Sequence, residues 1–581
     1  MRNVSFSKGD LMGLARGEER LVSHFSYESF EELAEACVDF YHRSLEREDL
    51  SDACERRSQL AKHIRKFHRE CGTLTPRVEE AIKDLEGGSC LFLMTAHQPN
   101  LFAYGGVLRK ATLNHVLAKR LLESLKVPVV SFFGVADQDF TDDRWVRSAL
   151  LPDVQRRDGL LELRFDMPEK LMLNRVEKPS RNVLDSWRND IEDWMDRKLG
   201  SIGRDCRSLG LPFGGENAGL AGNFEGFWTL VEDAYGRAET YADFNAFIMS
   251  KIVNEVWGYA TLFSRFSECQ RIFEREFCFL LSRFDEYSRC VKEATVYAGN
   301  LEGGVCEREF EMIPFWYHCG CGSKVRLTAE QKDGFYVGHG KCLRCGKEYH
   351  IDFQSKNEPQ ISEIVSQVSA RSLSMPLVFF HGLRVACYVG GLGGKEYLEQ
   401  ARYVAERLRM SFPPVVVWRP RDVYFGVGQL EALMAFRKIA GTFDFSQHSR
   451  VEADLRGKVA EVQSRIDEFE EQKKQPCASS GGGKEELIQN LKALSARQSE
   501  VRRDANFSVL VRNLGLLEAV AAVMELYPCV VDYAVNVGLK ETSEQWIASL
   551  HGNGSLSANV NLRTGFDNIA AACTQSSLGA E

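Results

Sequence analysis

The chain has 581 residues, 44% of them hydrophobic and 27% charged, with a net charge of −9. That is too long for one core, so two or three domains are expected, and the composition is that of a globular protein. The negative balance argues against a dedicated nucleic-acid binder, since phosphate neutralisation needs clustered Lys and Arg. The N-terminus has no apolar leader, and no run of about 18 uncharged apolar residues occurs, so neither secretion nor membrane spanning is expected. Seventeen Cys read as reduced thiols of a cytoplasmic protein, some of them on a metal.

Residues 1–88 form a charged N-terminal helical segment, with Phe30, Leu33, Ala34 and Cys37 on one stripe. His63 and His68 lie in a Lys/Arg-rich helix and read as part of a solvated face. Residues 89–222 read as the first half of a doubly wound core. Cys90 to Met94 is a buried-strand pattern that empties into Thr95-Ala96-His97-Gln98-Pro99-Asn100. A helical stripe follows from about Val107 to Leu125. A second apolar run, Val127 to Phe133, then ends in Gly134-Val135-Ala136-Asp137-Gln138-Asp139-Phe140. Such a βαβ unit places both polar clusters at the carboxyl ends of parallel strands, where open α/β sheets bind ligands. His97 offers a switchable proton or a phosphate-facing donor, and Gln98 and Asn100 offer neutral donors. Gly105-Gly106 would let amides approach an anion. Asp137 and Asp139 would both point to a ligand or magnesium, with Gln138 turned away by the pleat. The bland alternative is that His97 only caps or packs.

Leu160 to Phe165 reads as a β-segment, and Trp187, Ile191 and Trp194 mark a helix. Residues 223–312 read as a helical, aromatic-rich insertion whose rings form core. In 313–356, Cys319-Gly320-Cys321 and Cys342-Leu343-Arg344-Cys345 flank a β-prone stretch, the layout of a zinc ribbon. Four thiolates saturate tetrahedral Zn²⁺, so that metal would be structural. His318, His339 and His350 lie close by in sequence, and one of them could replace a Cys. Residues 357–427 read as the second half of the core, with β-rich runs at Pro376–Phe380 and Val385–Val389 around a His381-Gly382 turn. The second run opens into Gly390-Gly391-Leu392-Gly393-Gly394-Lys395 before a helix, a setting in which free amides bind anions. Val415 to Trp418 is a further strand. In 428–551 the pattern is helical. Val451, Leu455, Val459, Val462, Ile466 and Phe469 form a coiled-coil seam, the loop 475–483 breaks it, and Leu487, Leu491, Leu494 and Val501 resume it. That antiparallel hairpin offers an apolar ridge for dimerisation, the expected role, or for contact with a tRNA-like substrate. Residues 552–581 read as a small, polar, disordered tail.

Several of these segments resemble one family. Ala96 to Phe102 resembles the strand-end motif Gly-His-Gln-Pro-Gly of the bacillithiol biosynthesis cysteine-adding enzymes (BshC), and Ala136 to Phe140 resembles their Glu-Asp-His-Asp-Phe. Tyr388-Val389-Gly390-Gly391 with Tyr397 and Gln400 resembles their Tyr-Val-Gly-Gly segment. Phe412 to Val416 resembles the stretch ahead of their C-terminal helices. Ala136, Gln138 and Gly394 depart from the pattern, and the ribbon is an insertion special to this branch. The resemblance implies a Rossmann-like doubly wound sheet and a ligase that adds cysteine to a glucosaminyl-malate-like amino sugar. On the residues themselves, His97, Asp137 and Asp139 are the catalytic candidates, and Gln98, Asn100, Tyr388, Gly390, Gly391, Lys395 and Tyr397 the substrate or nucleotide contacts, with ATP and Mg²⁺ as candidate cofactors. Other readings stay open: a ligase with another acceptor, a nucleotidyltransferase or aminoacyl-tRNA-synthetase-like enzyme, and a non-catalytic scaffold.

Overall fold

The computed structural model describes residues 27–575 except 47–50, 212, 215, 299–310, 333–334, 354–358, 419–420, 475–483 and 553. In chain order the first strands are β1 (Leu91–His97), β2 (Val129–Val135), β3 (Ser148–Pro152), β4 (Leu160–Arg164) and β5 (Thr261–Arg265). They are followed by β6 (Met312–His318), β7 (Lys324–Lys332), β8 (Phe335–Lys341), β9 (Glu348–Phe353), β10 (Val368–Ala370), β11 (Val385–Gly390) and β12 (Val415–Val417).

The central sheet has five strands in the order β12-β11-β1-β2-β5, and all its pairings are parallel. Numbered within the sheet, the order is fifth, fourth, first, second, third. This is the doubly wound Rossmann order, and it reverses between β1 and β11. Both faces are covered. Leu91, Leu93, Phe133, Val135 and Phe263 join the core on the side of the Gly105–Leu125 helix. Phe92, Met94, Phe132 and Leu262 join the core on the side of the Pro76–Gly87 helix. Burial on both faces is why these strands read as continuous apolar runs rather than alternating ones. Arg57, fully buried, fastens the amino edge of the sheet. It donates to the carbonyls of Gly88, Cys90, Leu383 and Arg384 at 2.7 to 3.2 Å.

Several sequence expectations change here. The third core strand, Thr261–Arg265, lies inside the segment expected to be purely helical insertion. Pro376–Phe380 is not a strand but part of the Ser374–Leu383 helix. That helix is buried on nearly every side, so its apolar run carries no period to distinguish it from a strand. His68 is not on a solvated face. It is fully buried, and its Nε2 accepts the amide of Phe263 at 2.9 Å on the edge strand β5. The segment 552–581 is not a loose tail: Val560–Asn561 pairs with Asp422–Val423, Phe566 is buried, and Asp567–Gln575 is helical. Residues 576–581 lie outside the described set.

A second sheet of five strands, β10-β6-β7-β8-β9, is antiparallel and carries the paired cysteines. The helix His448–Lys474 meets Lys484–Asp504 antiparallel, with Gln498 bonded to Glu470 at 2.5 Å and Lys473 at 2.7 Å. Its other half packs on Phe507–Glu525, where His448 reaches the Leu517 carbonyl at 2.9 Å. Leu455, Val462 and Ile466 are buried as the stepped spacing requires, but Leu487 and Leu491 of the returning arm are exposed. The connecting loop 475–483 lies outside the described residues. Phe507–Glu525 has the length and mean hydropathy (1.6) of a membrane span, and its central residues pack against the preceding helices.

Candidate functional site

The site is built where the sheet reverses. His97 ends β1, and its carbonyl accepts the amide of Ala136 at 3.0 Å, which ties the turn after β1 to the turn after β2. Its Nδ1 lies 2.8 Å from the Gln98 carbonyl, so Nδ1 carries the proton and Nε2 is left as an acceptor. The Tyr104 hydroxyl sits 3.4 Å from that Nε2. Burial first, then the neighbouring charge of Lys110, push the imidazole down to about 3. His97 is therefore a neutral acceptor across the physiological range rather than a switch. Asn100 is 2% exposed and close to His97, yet neither amide atom has a well-formed hydrogen bond. Gln98 is committed to Asp143, to which it donates at 2.7 Å.

The Gly105-Gly106 pair serves packing rather than an anion. The Gly105 amide donates to the Pro528 carbonyl at 2.9 Å, and a Cβ there would lie 2.3 Å from the Tyr533 hydroxyl. The cation that does reach this region is Lys110, which sequence reasoning passed over. It sits on the helix after β1, only 5% exposed, and its Nζ donates to the Ala96 carbonyl at 3.1 Å. The same Nζ is 3.2 Å from where a Cβ on Gly391 would stand, so it lies across the reversal from β1 to the glycine turn after β11. Burial lowers it to about 7. The available signal was a lysine within two turns of the Gly-Gly that opens the helix after the first core strand.

The two acids of the β2 turn have different surroundings. Asp137 is fully buried and its carboxylate is saturated. It accepts from the Ser267 amide at 3.0 Å, from the Ser267 hydroxyl, and from Asn174 Nδ2 at 3.2 Å. Burial raises it to about 6 against those bonds. Its role in the fold is to pin the loops around 174 and 267 to the turn. Asp139 keeps 47% of its side chain accessible, and its nearest cation is Lys324 at 3.8 Å. It is nonetheless ringed by enough protein that desolvation raises its pKa, the position of a group lining a crevice. Gln138 is buried and accepts from Gln270 at 3.3 Å; residues 137–139 form a turn beyond β2 rather than a pleated strand, so Asp137 and Asp139 do not point together as expected.

From the other side, Tyr388 on β11 is buried, and Gly390 and Gly391 lead into a short 3-10 turn in which Gly394 donates to Gly391 at 3.1 Å. Tyr397, in the first turn of the Lys395–Leu408 helix, is close enough to Asp139 to feel its charge and is pushed up to about 12, mainly by burial. Both phenols are thus neutral hydroxyls at working pH. The Lys395 side chain lies outside the described residues. Of the predicted site residues, the fold brings His97, Asn100, Asp139, Tyr388, Gly391 and Tyr397 to one edge, and Lys110 joins them.

The cysteine pairs form a second centre. The sulfurs of Cys319, Cys321, Cys342 and Cys345 all lie within 4.8 Å of one another, with Cys319–Cys345 at 3.6 Å and Cys321–Cys342 at 3.5 Å. A tetrahedral ion with metal–sulfur bonds of about 2.3 Å sets its ligands roughly 3.8 Å apart, so the four thiols fit one. The two turns match. Gly322 and Gly346 follow the second Cys of each pair at φ +85° and +73°, and their amides bond back to the carbonyls of Cys319 and Cys342 at 2.9 and 3.1 Å. His318 is not a ligand: it bonds Ser369 at 2.9 Å. His339 and His350 pair with each other on the sheet surface.

Cavities of about 190 and 270 Å³ also open at the amino edge of the sheet, beside Arg56, His381 and Arg384 and beside Cys54, Gly88 and Leu91. They lie at the opposite ends of the strands from His97 and Gly391, and the switch-point rule favours the carboxyl edge. No family model matches the chain, and no curated protein matches it either.

Proposed function

We propose that the protein is a ligase that forms an amide between the carboxyl of cysteine and the amine of an amino-sugar conjugate, as the resemblance to the bacillithiol enzymes implies. The observation that carries this reading is the meeting of His97, Lys110 and the Gly391 turn at the strand-order reversal, with Asp139 and Tyr397 beside them. Amide formation needs a deprotonated amine, a held and activated carboxyl, and donors for the oxyanion between them. His97 Nε2, neutral at working pH, accepts from the amine N–H and orients its lone pair towards the carboxyl. The Lys110 ammonium supplies charge opposite a carboxylate or phosphate, and the hydroxyls of Tyr388 and Tyr397 are donors held neutral. Asp139 orients the ammonium of the incoming cysteine. Were activation to use ATP, Asp139 would carry its Mg²⁺ and Lys110 a phosphate.

In the same reading, the four thiols hold one structural zinc, which closes the two turns on each other. The exposed ridge of Leu487, Ile488 and Leu491 on the hairpin meets a second copy, giving a coiled-coil homodimer in a reducing cytoplasm. The decisive assay incubates purified protein with cysteine, a glucosaminyl-malate acceptor and ATP, and follows the adduct by mass spectrometry. His97→Ala and Asp139→Asn should each lower turnover at least about a hundredfold. Absence of adduct, together with an unchanged thiol profile in a deletion strain, would sink the proposal.

A further inference from the structure

We infer that the thiol-bearing sheet is a wall of the catalytic crevice: Lys324, clamped between its two cysteine turns, positions Asp139, so that metal in the cluster sets the acidic turn. The inference rests on the site and zinc readings above and adds to them the residue that joins the two centres.

Lys324 opens β7, three residues after Cys321. Its backbone belongs to the cluster. The Lys324 carbonyl accepts the amide of Leu343, inside the second turn, at 3.4 Å. The preceding carbonyl, of Ser323, accepts the amide of Cys319 at 2.8 Å, and Val325 bridges to Cys342. Whatever draws the two turns together therefore fixes the Lys324 Cα from both sides. Its side chain belongs to the crevice. The ammonium, 5% exposed, lies 3.8 Å from Asp139 Oδ1. It also sits 5.1 Å from the centre of the Phe140 ring and 5.8 Å from that of Trp316. Those two rings meet edge to face, so one residue of the acidic turn and one of the ribbon build the cage together.

A second contact stabilises the docking without replacing this one. The Gly322 carbonyl accepts the Met172 amide at 2.9 Å, while Leu173 and Asn174 donate to the carbonyls of Asp139 and Asp137 at 3.0 and 2.7 Å. The segment 171–175 is thus sandwiched between the first cysteine turn and the acidic turn, and the ribbon is not a detached module. The two contacts make different predictions. The backbone sandwich holds the acidic turn whatever residue 324 is, whereas the ion pair and the cage need its cation.

The test uses hydrogen–deuterium exchange of the full chain, so it does not require turnover. Chelator-stripped protein is titrated with zinc alone, and peptides spanning 137–143 and 319–346 are followed. In the wild type both should slow together, by about fivefold or more, and saturate at one zinc per chain. In zinc-loaded Lys324→Met, peptide 319–346 should stay protected while 137–143 exchanges at the faster rate of the stripped protein, and Lys324→Arg should restore it. Equal protection of 137–143 in zinc-loaded wild type and Lys324→Met would overturn the role of the lysine. Zinc that protects only 319–346 would overturn the coupling. If the ligase reading fails and the exchange result holds, the ribbon still sets the turn; if the exchange result fails while adduct forms, only this inference is lost.

Discussion

Lys110→Met tests whether the lysine at the strand reversal serves function or structure, because the two roles move stability in opposite directions. Burial lowers Lys110 from 10.5 to about 7. Each pKa unit is worth about 1.4 kcal/mol, so a charged Lys110 costs the folded state up to ~5 kcal/mol. Methionine keeps the stem and removes the charge, while the Ala96 carbonyl loses a donor at a cost of about 1 kcal/mol. Relaxation around the ammonium shrinks the first figure, so a net gain of ~1–3 kcal/mol at pH 7 is expected. With unfolding entropy of ~2 cal/mol/K per residue over the 581-residue chain, that raises the melting temperature by about 1–3 °C, more if the sheet melts by itself. The pH dependence gives a second reading. Between pH 7 and 10.5 the unfolded chain holds a proton that the folded one has lost, so wild-type stability rises with pH across that window. Below pH 7 both states are protonated and the penalty is fully present. Lys110→Met should lose this slope and at least about a hundredfold of turnover. A variant that melts lower than wild type at pH 7 and keeps the slope would refute the reasoning.

The purified chain should carry one zinc, and Cys342→Ser should lose it with a fall in melting temperature; full occupancy in that variant, measured by atomic absorption, would contradict the cluster. Leu487→Glu with Leu491→Glu should turn a dimer into monomers in light scattering with little loss of stability, since both side chains are exposed. Leu455→Glu and Ile466→Glu should instead destabilise the chain by ~2–4 kcal/mol, because both side chains are buried within it, Leu455 against Phe436, Leu517 and Val520. Acid should unfold the protein. Burial holds His68, His97 and His318 at about 3 and His115 and His381 at about 4, so unfolding below pH 6.5 takes up protons there. Asp137 and Asp532, raised to about 6, oppose this because the folded state binds their protons first. Asp84, Asp139, Glu276 and Asp422, also raised by burial, oppose it further, so the slope near pH 5 should not exceed ~4 kcal/mol per pH unit in denaturant titrations at pH 6.5 and 5.

The β1–helix–β2 unit was legible because each of its strands is buried on both faces and each ends abruptly in polar residues. The stepped seam at Leu455, Val462 and Ile466 was legible for the same reason, a period that burial imposes. Thr261–Arg265 was hidden because five residues between aromatic helices leave no pattern longer than noise. Ser374–Leu383 was misread because a helix buried all round shows no stripe. The placement of His97 and Asp139 at the carboxyl edge followed from strand ends alone. The saturation of Asp137 by Ser267 and Asn174 did not, since both partners come from distant loops. Lys324 was equally out of reach: its acidic partner is remote in sequence, and the cysteine spacing pointed to a four-thiol cluster without saying where its sheet docks.

The buried charges at the two edges of the central sheet differ in how fully they are partnered. Two fully buried charges away from the carboxyl edge are well partnered. Lys198, fully buried, holds both Asp153 and Glu431, and Arg57 makes hydrogen bonds to four carbonyls at the amino edge. Removing such a partner leaves an uncompensated buried charge and costs several kcal/mol, so folding alone accounts for them. At the carboxyl edge the pattern is inverted. Among the described residues Lys110 pairs with a backbone carbonyl rather than a carboxylate, Asn100 lacks well-formed bonds for either amide atom, and the acceptor nitrogen of His97 has the Tyr104 hydroxyl at 3.4 Å. Each would be relieved by an apolar residue of similar shape, and each lies where the strand order reverses. Polar groups that lack partners at the carboxyl ends of the strands suit a ligand that carries the missing ones. An anionic group for Lys110 and a proton donor for His97 are what a carboxyl and an amine bring together.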